Sequence, residues 1–417
     1  MSVAEISTKP EQAAQPAIPL RELGVALLLA SALVLLTRLP LARPEPFESD
    51  EFGFLERIVQ YHLPIHHTLF LGIARIVGDL LGDPYQGFIV LDMAMSAFAL
   101  VATWWWLRAL VKPTIAAAAT LVLAVSPTFW TYGAMAGNYT AIPLVGAILL
   151  GITVRTFRDP RPWHPYIAAV VLAFGAGYRQ DIGTFWLPIF FVILWKHRWK
   201  PAIGALGLFV VLNLAWLIPM LIEVGGLAQY RAQSAEFANS SGYKNSIFYL
   251  GFKDATVRYA VKLGLALGWT FGIALLAMPM GVFRIVKNKQ GKWLAALLLL
   301  SVVPPLLFHL VIHFGVPGYC FHYVPALLAL LAMGVDRTIG FNWFGSPIVR
   351  LAGFAACSTV LFLVYVPDYD QNGARGSFDL SIGRFSRVGL VKRPPDKHPT
   401  LWRTANSINH RTTTSSQ

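Results

Sequence analysis

Charge is what this sequence has least of. Asp, Glu, Lys and Arg make up 13% of its 417 residues, against roughly 25% in ordinary soluble domains, which excludes a water-soluble globular fold. Cysteine is nearly absent too. Cys320 and Cys357 both stand in apolar surroundings, too few and too isolated for a disulfide framework or a metal-binding cysteine cluster, and both read as buried small hydrophobes. No basic-then-apolar leader ending at a small-residue cleavage site opens the chain, no Gly/Ser-rich linker divides it, and no fixed-period repeat runs through it. The formal charge of +13 has no basic face behind it, because Lys and Arg punctuate the apolar runs. That pattern excludes a nucleic-acid partner.

What the chain has in quantity is apolar length. Hydrophobic residues reach 56% and the mean hydropathy is +0.56. The apolar residues come in runs of about twenty, the length at which a helix crosses ~30 Å of hydrocarbon. The expected fold class is therefore an all-α polytopic membrane protein of about eleven transmembrane helices. The expected spans lie near 22–40, 88–110, 114–130, 142–154, 166–177, 184–195, 203–222, 260–283, 293–314, 319–335 and 348–366. Trp104, Trp105, Trp106 and Trp130 fall near span ends and read as an interfacial belt, where one ring edge is apolar and the N–H meets water.

Basic residues orient the chain. Arg155, Arg158 and Arg161, then Lys196, Arg198 and Lys200, then Arg284, Lys287, Lys289 and Lys292 gather at alternate joints, which the positive-inside rule places in the cytoplasm. Residues 1–20 are then a disordered cytoplasmic tail, 21–366 one transmembrane catalytic domain whose first outer loop is 41–87, and 367–417 a polar tail on the outer side. Within that loop, 51–61 carries Phe52, Phe54, Leu55, Ile58 and Val59 at near-helical spacing, and 67–81 is apolar but short. Both are expected as helices lying in the interface.

That loop also concentrates the acids Glu48, Asp50, Glu51 and Glu56. Ser49 or Asp50 capping the following helix would account for some of them. The remaining polar residues expected on the same face are His66 and His67, then Arg179 and Asp181, then His309, His313 and His322 around Tyr319. A lone histidine near a span end is most often an interfacial hydrogen-bonder. Arginine against apolar helix ends is costlier, about 2.5–3.5 kcal/mol at a helix centre and less near the edge. Its partner is either Asp181 or a backbone carbonyl, or else a phosphate, which guanidinium grips in bidentate fashion. Carboxylates with a phosphate-seeking arginine at an outer surface point to a reaction on a lipid-linked phosphate.

The order of these motifs along the chain resembles the GT-C superfamily of membrane glycosyltransferases, which includes the protein O-mannosyltransferases and bacterial aminoarabinose transferases. Ser49-Asp50-Glu51-Phe52 is similar to the family's first-loop Asp-Glu motif, and His66-His67-Thr68-Leu69-Phe70 to its His-Pro-Pro-Leu-Tyr stretch. Ser126-Pro127 closes the third span as in many members. Gly315-Val316-Pro317-Gly318-Tyr319, followed by Val324-Pro325-Ala326-Leu327, resembles a late Gly-Gln-x-Gly-Tyr…Leu-Pro-Ala-Leu element. The sequence departs from the pattern at the two prolines, replaced by His67 and Thr68, at Val316, and at Gly137-Asn138, where many members have an acid.

The resemblance implies a polyprenyl-phosphate sugar as donor and transfer to an acceptor hydroxyl of a glycan, lipid or protein. It further implies a bacterial inner membrane, with the site facing the periplasm. Asp50 is then the general base, and Glu51 orients it, holds a divalent cation or binds sugar hydroxyls. A base is needed because an unassisted hydroxyl is a poor nucleophile. Arg179, with Asp181, His66, His67, His313, Tyr319 and His322, forms the expected substrate-binding set. Two acids one position apart on a helix project about 100° apart, so a shared site predicts a loop at Asp50. A membrane transporter is the rival reading from another class, and a lipid-linked glycan ligase or polymerase is the rival within the class.

Overall fold

The computed structural model describes residues 19–39, 42, 49–59, 66–287, 291–336 and 346–364. Residues 1–18 of the expected tail 1–20, and all of the expected tail 367–417, lie outside these residues. Among them the chain is helical and contains no strand. The helices in chain order are α1 (Leu20–Arg38), α2 (Ser49–Val59), α3 (Thr68–Leu81), α4 (Pro84–Leu107), α5 (Pro113–Ala124), α6 (Pro127–Tyr132), α7 (Ala141–Arg158), α8 (His164–Tyr178) and α9 (Gln180–Trp195). They continue with α10 (Trp199–Val224), α11 (Leu227–Phe237), α12 (Ile247–Leu250), α13 (Phe252–Phe271), α14 (Met278–Lys287), α15 (Lys292–Val311), α16 (Val324–Asp336) and α17 (Pro347–Val364).

Among the described residues, six stretches are long and apolar enough to cross a membrane: Leu20–Arg38, Pro84–Leu107, Ala141–Arg158, Trp199–Val224, Phe252–Lys287 and Lys292–Val311. Five shorter apolar helices, α5, α8, α9, α16 and α17, fall at the other expected spans. The described part of each expected apolar segment thus contains a helix, and the chain is an integral multi-pass membrane protein.

Local chemistry sets the boundaries. Asp83 caps α4 by accepting from the backbone N–H groups of Tyr85 and Gln86 at 2.8 and 3.3 Å, with Pro84 at the first helical position. Pro at that place forfeits only an N–H that has no intrahelical partner. Ser126 accepts from the Phe129 N–H at 3.3 Å ahead of Pro127 and starts α6 the same way. A Cβ on Gly87 would sit 2.2 Å from the Ala74 carbonyl oxygen; without one, α3 lies directly against α4 and carries the first loop onto the helix core.

Three sequence expectations change here. Trp106 and Trp130 are not belt residues: both are buried. The Trp106 N–H donates to the Pro325 carbonyl at 3.0 Å and that of Trp130 to Thr37 at 2.6 Å. Each indole finds a backbone acceptor inside the bundle, which removes its need for interfacial water. Cys320 is buried as expected, but Cys357 is exposed on α17. Finally, α2 begins at Ser49, so Asp50 and Glu51 occupy a helical first turn and not a loop; the positive end of the helix dipole favours acidic residues there.

Candidate active site

The α8–α9 junction is built around Arg179. This residue has extended backbone between the two helices, at φ −157° and ψ 113°, and only 4% of its surface is exposed. An arginine so enclosed must be paired, and it is. Its Nε donates to both Asp181 carboxylate oxygens at 2.9 Å, and its Nη1 donates to Asn138 Oδ1 at 2.6 Å. The Tyr139 and Tyr319 rings cover its guanidinium, with centroids at 4.1 and 5.0 Å. Burial disfavours the charge, but the adjacent Asp181 carboxylate outweighs it and holds the guanidinium pKa above the usual arginine range.

Histidines ring this pair. His322 is fully buried, its Nε2 lies 3.4 Å from Asp181 Oδ2, and Phe185 packs edge-on against it at 4.8 Å. Behind it, His309 Nδ1 is 2.6 Å from the Tyr323 hydroxyl, and its ring centroid is 5.9 Å from that of His322. On the opposite flank, His66 Nδ1 pairs with Gln180 Oε1 at 2.9 Å. His67 takes a left-handed backbone, φ 63° and ψ 33°, as the residue before α3. Burial, followed by the positive charge of Arg179, pushes the His67 pKa down to about 3, so this imidazole is neutral. The second nitrogens, His66 Nε2 and His67 Nδ1, are buried without a hydrogen-bond partner.

Of the expected binding residues, Arg179, Asp181, His66, His67, Tyr319 and His322 therefore converge on one junction. His313 stands one layer away, 6.0 Å ring to ring from Tyr319. Its pKa is pushed down to about 4 by burial and then by Lys262 and Arg258. The side chains of Asp50 and Glu51 lie outside the described residues. Their helix reaches the junction through aromatic packing: Phe54 on α2 lies 5.4 Å from Phe70 and 5.6 Å from His67, and Phe70 lies 5.1 Å from Tyr178. Among the described residues, no three His, Cys, Asp or Glu side chains gather as a metal site.

An apolar groove of about 300 Å³ opens beside this cluster. Thr68, Leu69 and Gly72 of α3 and Leu212, Ala215 and Trp216 of α10 line it. Its wall touches the junction: a Cβ on Gly177, two residues before Arg179, would meet Leu69 at 2.5 Å and Trp216 at 2.9 Å.

The sequence reading passed over Asp92, Asn138, Tyr139 and Gln180. Asp92 had a legible signal, being the single charged residue within the apolar run of α4, and an ionisable residue within a span has a specific partner. Asn138 and Tyr139 carried only the departure at Gly137-Asn138. Gln180 carried none.

No protein-family model matches the sequence, and no curated protein matches it. Among solved structures, the chain is similar to ArnT from Cupriavidus metallidurans bound to undecaprenyl phosphate, with a TM-score of 0.56 and 12% identity over 94% of this chain and 76% of that one. The same protein in its apo state gives a TM-score of 0.50 at 12% identity and the same coverage. The archaeal oligosaccharyltransferase AglB from Archaeoglobus fulgidus, in complex with an inhibitory peptide and a dolichol-phosphate, follows at 0.49 and 9% identity over 93% and 59%. With the helix order described above, the likeness to ArnT shows that this chain shares the fold of that structure.

Proposed function

We propose that this protein is a membrane glycosyltransferase that moves a sugar from a polyprenyl-phosphate donor to an acceptor hydroxyl on the outer face of a bacterial inner membrane. The observation that carries this reading is the juxtaposition of two unlike environments. A buried arginine flanked by unpartnered imidazole nitrogens sits two residues from the wall of an apolar groove. A prenyl phosphate has this same division, an apolar chain ending in a charged head. The ArnT structure with the same fold was solved holding undecaprenyl phosphate.

In the proposed reaction the prenyl chain occupies the groove between α3 and α10, and its phosphate meets the Arg179 guanidinium, with His66 and His67 lining the head-group end of the groove. The acceptor oxygen bonds to the anomeric carbon while the bond from that carbon to the phosphate oxygen breaks. The acceptor proton passes to the Asp50 carboxylate, acting as general base, and the electron pair of the broken bond stays on the departing phosphate. The leaving group gains negative charge in an enclosed site, where fixed donors act more strongly than in water. Arg179 makes its bonds to Asp181 and Asn138 through Nε and Nη1, and Nη2 is the nitrogen assigned to the phosphate. Asp181 and Asn138 hold the fork in place, and Tyr139 and Tyr319 fix its plane.

The test is turnover by purified protein in detergent with undecaprenyl-phosphate-linked sugars and a mixture of glycan, lipid and peptide acceptors. The expected result is release of undecaprenyl phosphate coupled to acceptor glycosylation, with Arg179→Ala raising the donor KM. Wild-type protein that neither binds undecaprenyl phosphate nor releases it from any donor would refute the reading.

A further inference from the structure

A carboxylate buried inside α4 reaches the Arg179 junction through one intermediary. Asp92 is fully buried. Its Oδ2 accepts from the backbone N–H groups of Gly137 and Asn138 at 2.9 and 3.2 Å, and its Oδ1 accepts from the Thr140 hydroxyl at 3.0 Å. Two backbone donors and a hydroxyl give both buried carboxylate oxygens hydrogen-bond partners. The segment they grip connects α6 to α7, and at its centre Asn138 holds a left-handed backbone at φ +48°. That conformation is sterically costly for most residues, and Asn tolerates it best after glycine. Held in this way, Asn138 presents Oδ1 to Arg179 Nη1 at 2.6 Å.

We propose that Asp92 is a positioning residue for the Arg179 guanidinium, acting through the left-handed turn at Asn138. The juxtaposition that carries this is a continuous hydrogen-bonded chain: Asp92, the Asn138 backbone, the Asn138 amide, Arg179, Asp181 and His322. Asp181 restrains one edge of the guanidinium and Asn138 the other, so the planar fork cannot pivot about either bond alone. An anchor of loop shape alone would need only the two backbone bonds. The Asn138 amide extends the same anchor to the Arg179 guanidinium. The inference rests on the proposed role of Arg179 toward the donor phosphate.

The experiment measures donor KM, kcat and melting temperature for Asp92→Asn, Asn138→Ala and the double variant. The amide of Asp92→Asn keeps one acceptor but cannot serve all three donors, so the turn loosens without losing bulk. Asp92→Asn and Asn138→Ala are each expected to raise the donor KM about tenfold and to lower kcat as well, since Arg179 also meets the charge growing on the departing phosphate. The double variant should be no worse than the worse single, because both cut one chain. Multiplying effects in the double variant, or a wild-type KM in Asp92→Asn, would overturn the proposal. Should Asp92→Asn not accumulate in the membrane, Asn138→Ala alone carries the test, since it severs the chain one step later, and a wild-type KM there refutes it. Undecaprenyl phosphate binding to wild-type protein, read by tryptophan fluorescence, separates the two levels. Absence of binding refutes the role assigned to Arg179 and the inference with it, whereas binding that Asn138→Ala leaves unchanged refutes the positioning role alone.

Discussion

Replacing Asp181 by Asn should make the protein less stable and, at the same time, a better binder of prenyl phosphate. The Arg179 and Asp181 side chains are 5% and 20% exposed, with 2.9 Å between Nε and Oδ1. At an effective dielectric constant of about 20, opposite charges centred about 4 Å apart attract by ~4 kcal/mol. The asparagine carbonyl still accepts from Nε, and a hydrogen bond to a charged donor retains roughly 1.5 kcal/mol of that. The net loss is therefore about 2–3 kcal/mol, below the ~3–5 kcal/mol expected when a buried pair is cut outright. For a cooperative unit of this size the melting temperature falls by about 3 °C, from the usual unfolding entropy per residue. The junction, relieved of its carboxylate, gains net positive charge, so affinity for undecaprenyl phosphate should rise several-fold. Thermal unfolding of detergent-solubilised protein followed by intrinsic fluorescence, with titration of undecaprenyl phosphate into the same samples, reads both quantities. An unchanged melting temperature, or an affinity that falls together with stability, refutes the reasoning.

Filling the groove from α10 by Ala215→Trp should weaken binding of undecaprenyl phosphate about tenfold while leaving affinity for a short-chain prenyl phosphate within twofold; equal losses would show that the chain does not lie between α3 and α10. Stability should decline as pH falls below about 6.5. Below that value the unfolded imidazole takes up a proton that folded His67, with its pKa near 3, and His313, near 4, do not accept, so each contributes a slope of up to ~1.4 kcal/mol per pH unit. Melting temperatures measured between pH 7.5 and 5 should fall less steeply in His67→Gln, and parallel curves would contradict the burial of that ring. Asp50→Asn should abolish transfer while membrane insertion and donor binding persist, and full activity would end its assignment as the base.

Apolar run length was enough to find the helices, because in hydrocarbon the backbone must satisfy its own hydrogen bonds and a run of sufficient length has no other regular structure open to it. It was not enough to find the neighbours of each helix. The indoles of Trp106 and Trp130 could sit at an interface or against a carbonyl of another helix, and only packing decides between the two. Arg179 was legible because an arginine amid apolar helix ends demands a partner. Its second partner, Asn138, was not, since nothing in the identity of an asparagine announces that a carboxylate 46 residues earlier in the chain holds its backbone left-handed. The groove was equally hidden, because Leu69 and Trp216 are ordinary apolar residues until Gly177 brings them beside the arginine.

The start of α2 at Ser49 sharpens the division of labour between the two neighbouring acids. Successive positions on a helix are turned by about 100°, so Asp50 and Glu51 cannot both face one small acceptor site from a regular first turn. If Asp50 takes the acceptor proton, Glu51 is left to the solvated or dipole-stabilised side, where a carboxylate contributes ~0.3–1 kcal/mol to helix stability. Unequal consequences follow. Asp50→Asn should remove activity with stability intact, whereas Glu51→Gln should lower the melting temperature by about 1 °C or less and leave kcat within a few-fold. Equal and severe losses in both would mean that the first turn of α2 unwinds when substrate binds, letting the two carboxylates share the site. Hydrogen exchange over residues 49–52 with and without bound undecaprenyl phosphate would show that unwinding directly.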